Sequence, residues 1–288
     1  MYALNMEEQD QDHHGPKQHD RRLFLTRSLA FLAGTLLGVD FFSRAEASEK
    51  LTFAMLKSHS NACLAPHSPP RIALIIDDIG SSISRARAFL ALGLPITFSI
   101  LPQLPYSEFL AQEIDGEGHE IMLHQPMEPF CHEIDPGPGA IYIAYRDPRI
   151  EDIVEKNLLQ IPQAKGVNNH MGSRFTSCSM KVAQALRIIK QKDLFFVDSL
   201  TSVHSKAYHV AKRLHMRTAP RNVFLDDPPD LRDIRFHLRH LVHHALQYGS
   251  AIGIGHPHLT TLRALHEFRR DLADRRPELE LVPVSQLL

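Results

Sequence analysis

The run Ile72-Ala73-Leu74-Ile75-Ile76-Asp77-Asp78-Ile79-Gly80 constrains this chain more than any other segment. A short continuous apolar stretch suits a strand covered on both faces, as in a parallel sheet, and this one stops abruptly at two carboxylates. The C-terminal ends of such strands are where parallel α/β folds assemble their sites. Two adjacent Asp side chains repel each other unless a cation or a basic partner relieves them. Asp78 could simply cap the following helix, but capping accounts for one carboxylate and leaves the other unexplained.

The same strand-like pattern recurs along the chain. Apolar strand candidates lie at 72–76, 96–101, 120–123, 166–168, 194–197, 216–219, 251–255 and 279–282. Helical periodicity fills most intervals, at 82–92, 106–114, 149–159, 179–190, 205–214, 231–248 and 259–274. Gly93 and Pro95 stop the first of these helices. Strand–helix alternation at this spacing predicts a parallel α/β sheet. So many units in a row favour a distorted (β/α) barrel of about seven parallel strands over an open doubly wound sheet, which shares the local pattern. Residues 125–145 carry Pro126, Pro129, Pro136, Gly137, Pro138 and Gly139 and fit no helix. They read as a long loop over one rim, a placement that is usually functional.

Composition narrows the partners. The formal net charge of -1 gives no basic field for nucleic acid, and none is expected as a partner. Trp is absent and Tyr numbers 6, which argues against a long aromatic-lined glycan cleft. The three cysteines, Cys63, Cys131 and Cys178, show no zinc-motif spacing; a Cys131–Cys178 bridge is compatible with an oxidising compartment.

The N-terminal segment reads as an address. Arg21-Arg22-Leu23-Phe24-Leu25 precedes a short apolar stretch, and Ala45-Glu46-Ala47 follows with small residues. This is the order of a basic region, an apolar region and a cleavage site, and the paired arginines resemble a bacterial twin-arginine signal. The apolar stretch is short for a spanning helix, and Asp40 interrupts it. The expectation is an export signal over 1–47, cleaved after Ala47, a Pro-broken linker over 48–70, and one domain over 71–288. The protein is then periplasmic and meets the membrane only through its signal; an uncleaved anchor is the alternative.

Polar residues gather at the strand ends. The first strand ends at Asp77-Asp78. The third leads into His124 and then Glu128. The fourth leads into Asn168-Asn169-His170-Met171-Gly172-Ser173, the fifth into Asp198-Ser199, and the 251–255 strand into His256-Pro257-His258. In a parallel barrel all of these ends share one face. Singly each has a plain reading: His124 as a hydrogen-bonded structural residue, Asn168-Asn169 as a turn, Asp198 as a helix cap. Together they match a zinc site, which takes imidazole nitrogen and carboxylate oxygen, with a further carboxylate free to accept a proton.

These residues resemble the divergent polysaccharide deacetylase family, a branch of the carbohydrate esterase barrel superfamily. The resemblance runs from about Arg71 to the C-terminus. It is carried by Ile76-Asp77-Asp78-Ile79-Gly80, Pro126-Met127-Glu128-Pro129, the Gly166–Met171 stretch with Gly172-Ser173, and Phe196-Val197-Asp198-Ser199. It implies a deacetylase-type barrel and a divalent metal, most often zinc. Asp77 is implied as the base, Asp78 and His124 as ligands, and His256 as the general acid, with His258 as its alternative. The third ligand is either Glu128, which stands where those enzymes have a second His, or His170, with Glu128 then facing substrate. Asn169, Ser173 and Asp198 are implied to position substrate or ligands. Those enzymes also orient the base through an arginine, for which Arg174 is the nearest candidate.

The implied activity is metal-dependent deacetylation of an N-acetylated envelope sugar or polysaccharide. A non-catalytic glycan-binding or envelope-regulatory module on the same barrel is the rival, and hydrolysis of another amide or ester at the same metal is a third reading.

Overall fold

The computed structural model describes residues 69–275 and 278–288. The export signal expected over 1–47, nearly all of the linker over 48–70, and Cys63 lie outside the described residues.

Six of the strands form most of the wall: β1 (Arg71–Ile79), β2 (Ile96–Ile100), β3 (Glu120–Met127), β4 (Gly166–Met171), β5 (Phe195–Asp198) and β8 (Ser250–Gly255). Two short strands, β6 (Thr218–Pro220) and β7 (Val223–Phe224), and a marginal β9 (Glu280–Leu281) beside β1 complete the sheet. All pairings are parallel, and the order is β6-β5-β4-β3-β2-β1-β8-β7. β6 and β7 are one passage of chain. Arg221 N donates to Asp198 O of β5, and the next residue, Asn222, donates to Ile252 O of β8. The passage thus bridges the two edges, and the sheet curls into a distorted barrel of about seven staves, as expected.

The helices α1 (Ile83–Leu90), α2 (Ser107–Gly116), α3 (Asp147–Gln160), α4 (Ser179–Gln191), α5 (Ala207–Arg213), α6 (Leu231–Tyr248) and α7 (Leu259–Arg275) cover the outside. Ser82 caps α1 and Asp230 caps α6 through side-chain oxygens that accept backbone N–H bonds. Among the described residues no helix is long and apolar enough to cross a membrane.

Two apolar clusters separate along the strands by alternation. The larger joins the helices to the outer strand face through Ile72, Leu74, Ile76, Leu123, Val167 and Phe196. The smaller fills the barrel interior with Ala73, Ile75, Met122, Phe195, Val197, Ile252, Ile254 and Val284. Successive strand residues face opposite sides, so interior positions are odd in β1 and β5 and even in β3 and β8. Gly166 faces the interior ring of Phe195, and an added Cβ would collide with that ring.

Two strands run further than the apolar pattern predicts. β3 continues through His124-Gln125-Pro126-Met127 and β4 through Asn169-His170-Met171, because the two pair in register from Met122↔Gly166 to Met127↔Met171. Asn168-Asn169 is therefore strand and not turn. The long loop starts at Glu128. Glu128 N donates to Ile141 O, Phe130 N donates to Ser173 Oγ, and Gln125 Nε2 donates to Gly139 O. Gly139 has φ 72° and is packed against Asn157, with no room for a Cβ. Cys131 and Cys178 are free thiols.

Candidate functional site

Interior parity decides which polar residues meet. Counting on from Ala73 and Ile75 brings Asp77 inward; from Met122, His124; from Ile252 and Ile254, His256. On β4, Asn168 is paired in register with His124. A regular strand would then turn Asp78 outward. Instead Asp78 has φ 57°, and the β1–β2 register breaks between Ile76 and Ile79. The left-handed residue breaks the alternation, and both carboxylates reach His124, whose Nε2 lies 3.6 Å from Asp77 Oδ2 and 3.2 Å from Asp78 Oδ1.

Asp78, His124 and His170 form a group whose donor atoms lie within 4.8 Å of one another. His170 Nδ1 is 2.9 Å from Asp78 Oδ1 and 3.2 Å from His124 Nε2. Asp78 Oδ1 is buried and, despite these short approaches, has no well-aligned hydrogen bond. One carboxylate oxygen and two imidazole nitrogens converging at this spacing suit a divalent cation, and this donor set suits zinc chemistry. Burial opposes the charge on Asp78, but His124 and His170 outweigh it and hold the carboxyl well below the usual carboxylate range.

Two groups flank this set. Asp77 is buried, and its Oδ1 accepts from Asn168 Nδ2 at 2.8 Å. Burial pushes its pKa up, partly offset by His124 and His256. On the other side His256 Nε2 lies 3.9 Å from Asp78 Oδ2, and its ring stacks on Phe224 at 5.4 Å. His256 Nδ1 meets Asp226 Oδ1 at 2.9 Å, while Asp226 Oδ2 accepts from His256 N and Thr261 Oγ1. Burial alone would lower the imidazolium pKa; the Asp226 hydrogen bond and the charges of Asp77, Asp226 and Asp78 outweigh it and raise it to about 9. Asp226, His256 and His258 also lie close enough to hold a metal. Both Asp226 oxygens are already engaged, so this group is a hydrogen-bonded pair with a neighbour, and His258 stands apart from Asp78.

Several expected residues fall elsewhere. Glu128 is corrected: it is neither in the donor group nor free to face substrate. Its Oε1 accepts from Arg174 Nη1 at 2.9 Å and its Oε2 from Ile143 N at 2.8 Å, so it anchors the long loop. Arg174 is thereby also corrected, since it binds Glu128 and not the base. Asp198 takes outward parity after Phe196; its oxygens accept from Leu200 N, Ser205 Oγ and Tyr208 N, which shapes the turn into α5. Asn169, outward as well, accepts from Ser199 N and donates to Met171 O. Ser173 accepts from Phe130 N. These three residues support the rim and are not aimed at the donor group.

The sequence reading passes over Ser99 and Asp226 and gives Asn168 no role beyond a strand-end turn. Asn168 and Ser99 sit at interior positions and bond each other, Ser99 Oγ to Asn168 Oδ1 at 2.5 Å. Alternation counted from the apolar core would have found them. Asp226 follows Phe224-Leu225 and precedes Asp227, echoing Ile76-Asp77-Asp78, but its strand is two residues long and too short to read.

A family model described as divergent polysaccharide deacetylase matches residues 74–288. The chain is 32% identical over 238 residues to the uncharacterised protein YibQ of Escherichia coli, covering 83% of this chain and 72% of that protein. It is 31% identical over 217 residues to an uncharacterised protein of Haemophilus influenzae, covering 75% of this chain and 76% of the other. Among solved structures, an uncharacterised protein of Agrobacterium tumefaciens is similar with a TM-score of 0.73 and 25% identity, covering 78% of this chain and 92% of that one.

Proposed function

The chain belongs to the divergent polysaccharide deacetylase family, and from that premise we propose that it is a metal-dependent hydrolase acting on an N-acetylated sugar of the cell envelope. The observation that carries this reading is the convergence of Asp78, His124 and His170, flanked by Asp77 and by the His256–Asp226 pair. Asp78, His124 and His170 would hold the cation, with zinc the best match to their donors. When bound, it supplies Lewis-acid polarisation of the acetyl carbonyl and a water acidic enough to attack near neutral pH.

The rest is the work of side chains. Asp77 takes the proton of the attacking water; its burial makes it a stronger base than an exposed carboxylate. His256, held protonated by Asp226, gives a proton to the departing amine nitrogen as the C–N bond breaks. Water and amide become acetate and free amine. Export through residues 1–47 places this chemistry in the periplasm, where the domain over 71–288 meets its glycan.

The test combines metal analysis with amine release from N-acetylglucosamine oligomers and from peptidoglycan, with Asp77→Asn as control. The expected result is about one zinc per chain and release that the substitution lowers by about 10²- to 10⁴-fold. A chain that takes up no metal, or release that Asp77→Asn leaves unchanged, overturns the proposal. Glycan binding without release in either protein selects a binding module on the same barrel.

A further inference from the structure

We propose that Asn168 is a positioning residue whose single amide sets both the orientation of the base Asp77 and the tautomer of the metal ligand His124. The inference rests on the function proposed above. Asn168 is fully buried on β4, directly across from His124 on β3. Its Nδ2 donates to Asp77 Oδ1 at 2.8 Å. Its Oδ1 meets His124 Nδ1 at 2.7 Å and Ser99 Oγ at 2.5 Å.

The two ends of a primary amide differ: the oxygen only accepts and the nitrogen only donates. An ionised Asp77 only accepts, so the end of Asn168 that faces it must be the nitrogen. The oxygen is then turned to His124 and Ser99. Because that oxygen cannot donate, the hydrogen in the bond to His124 belongs to the imidazole Nδ1. In the neutral ring Nε2 is left with a lone pair, and it is Nε2 that faces Asp78 and His170. The Ser99 hydroxyl, donating to the same oxygen, resists rotation of the amide. An ordered chain therefore runs from the carboxylate through the amide to the imidazole. Ligand orientation by such outer partners is a general feature of metal sites. Here the same side chain also fixes the carboxylate, which accepts no arginine hydrogen bond among the described residues.

The test reads the ring directly. Long-range proton–nitrogen NMR on the metal-free protein, at a pH high enough to leave the imidazole neutral, is expected to show His124 with its hydrogen on Nδ1. Asn168→Leu, close in shape but unable to hydrogen-bond, is expected to give a mixture of tautomers and to weaken zinc binding, measured by chelator competition, by about 10- to 100-fold. Ser99→Ala is expected to shift both readouts in the same direction by less. If amine release is measurable, Asn168→Leu lowers kcat with KM little changed. A neutral wild-type ring with its hydrogen on Nε2 overturns the proposal, and this measurement needs no variant to fold. Folded Asn168→Leu with an unchanged tautomer and zinc affinity within about threefold of wild type also overturns it. Failure of the wild type to release amine from any acetylated sugar sinks the proposed function instead, while the ring and zinc readouts still decide the role of Asn168.

Discussion

His256 Nδ1 lies 2.9 Å from Asp226 Oδ1, and the Asp226 side chain is fully buried. This contact joins the end of β8 to the residue two beyond β7. It fixes which ring nitrogen points toward Asp78 and raises the ring pKa to about 9 against the opposing effect of burial. Asp226 is in turn held below the usual carboxylate range, again against burial, by the His256 hydrogen bond and charge.

His256 must be protonated to act as an acid, so donor capacity is lost as pH rises through about 9. In Asp226→Asn the alkaline limb of the rate profile moves to lower pH, and NMR titration of the metal-free variant shows the ring pKa falling with it. The same pair contributes to folding. A raised histidine pKa stabilises the fold fully below the unfolded value of about 6.5 and loses that contribution as pH rises through the folded value. An alkaline limb that does not move in the variant would rule His256 out as the acid.

Metal retention should divide the two candidates for third ligand. His170→Ala is expected to weaken zinc binding by more than the roughly 10- to 100-fold typical of an outer partner, as is His124→Ala. Glu128→Gln is expected to keep full zinc content. Metal analysis after dialysis against a weak chelator reads the difference; retention in His170→Ala with loss in Glu128→Gln would restore Glu128 to the metal.

Glu128 has a structural consequence of its own. Its carboxylate accepts the Ile143 backbone N–H and the Arg174 guanidinium, so Glu128→Ala leaves a loop amide without its partner. A stability loss of about 1–3 kcal/mol is expected from denaturant melts, with faster hydrogen exchange at Ile143.

Asp77→Asn should separate base from ligand. Amine release is expected to fall by about 10²- to 10⁴-fold, the usual contribution of a general base, with zinc content unchanged. Loss of metal in this variant would make Asp77 a ligand.

Much of the fold was legible because the signals were local. The apolar run before Asp77-Asp78 and the alternation of strand and helix are set by side-chain patterning over a few residues, and Gly93 with Pro95 closes α1 by backbone chemistry alone. The placement of His124, His170 and His256 at one rim followed from the rule that parallel strands share their C-terminal face. Asn169 and Asp198 failed on parity, standing one position off the inward set and serving rim hydrogen bonds, whereas Glu128, just past the end of β3, is held by Ile143 and Arg174.

What the sequence by itself determined is the class of fold, the rim on which chemistry collects, and the residue types available there. Tertiary structure alone decided the membership of the site. The left-handed Asp78 cancels one step of alternation and turns a second carboxylate inward. Pairing between β3 and β4 sets His124 opposite Asn168, 44 residues away. The seam passage through β7 delivers Asp226 to His256, 30 residues away. Such contacts depend on strand register and chain closure, which no local pattern encodes, so the Asp77-Asp78 pair announced a site while its partners waited on the closed barrel.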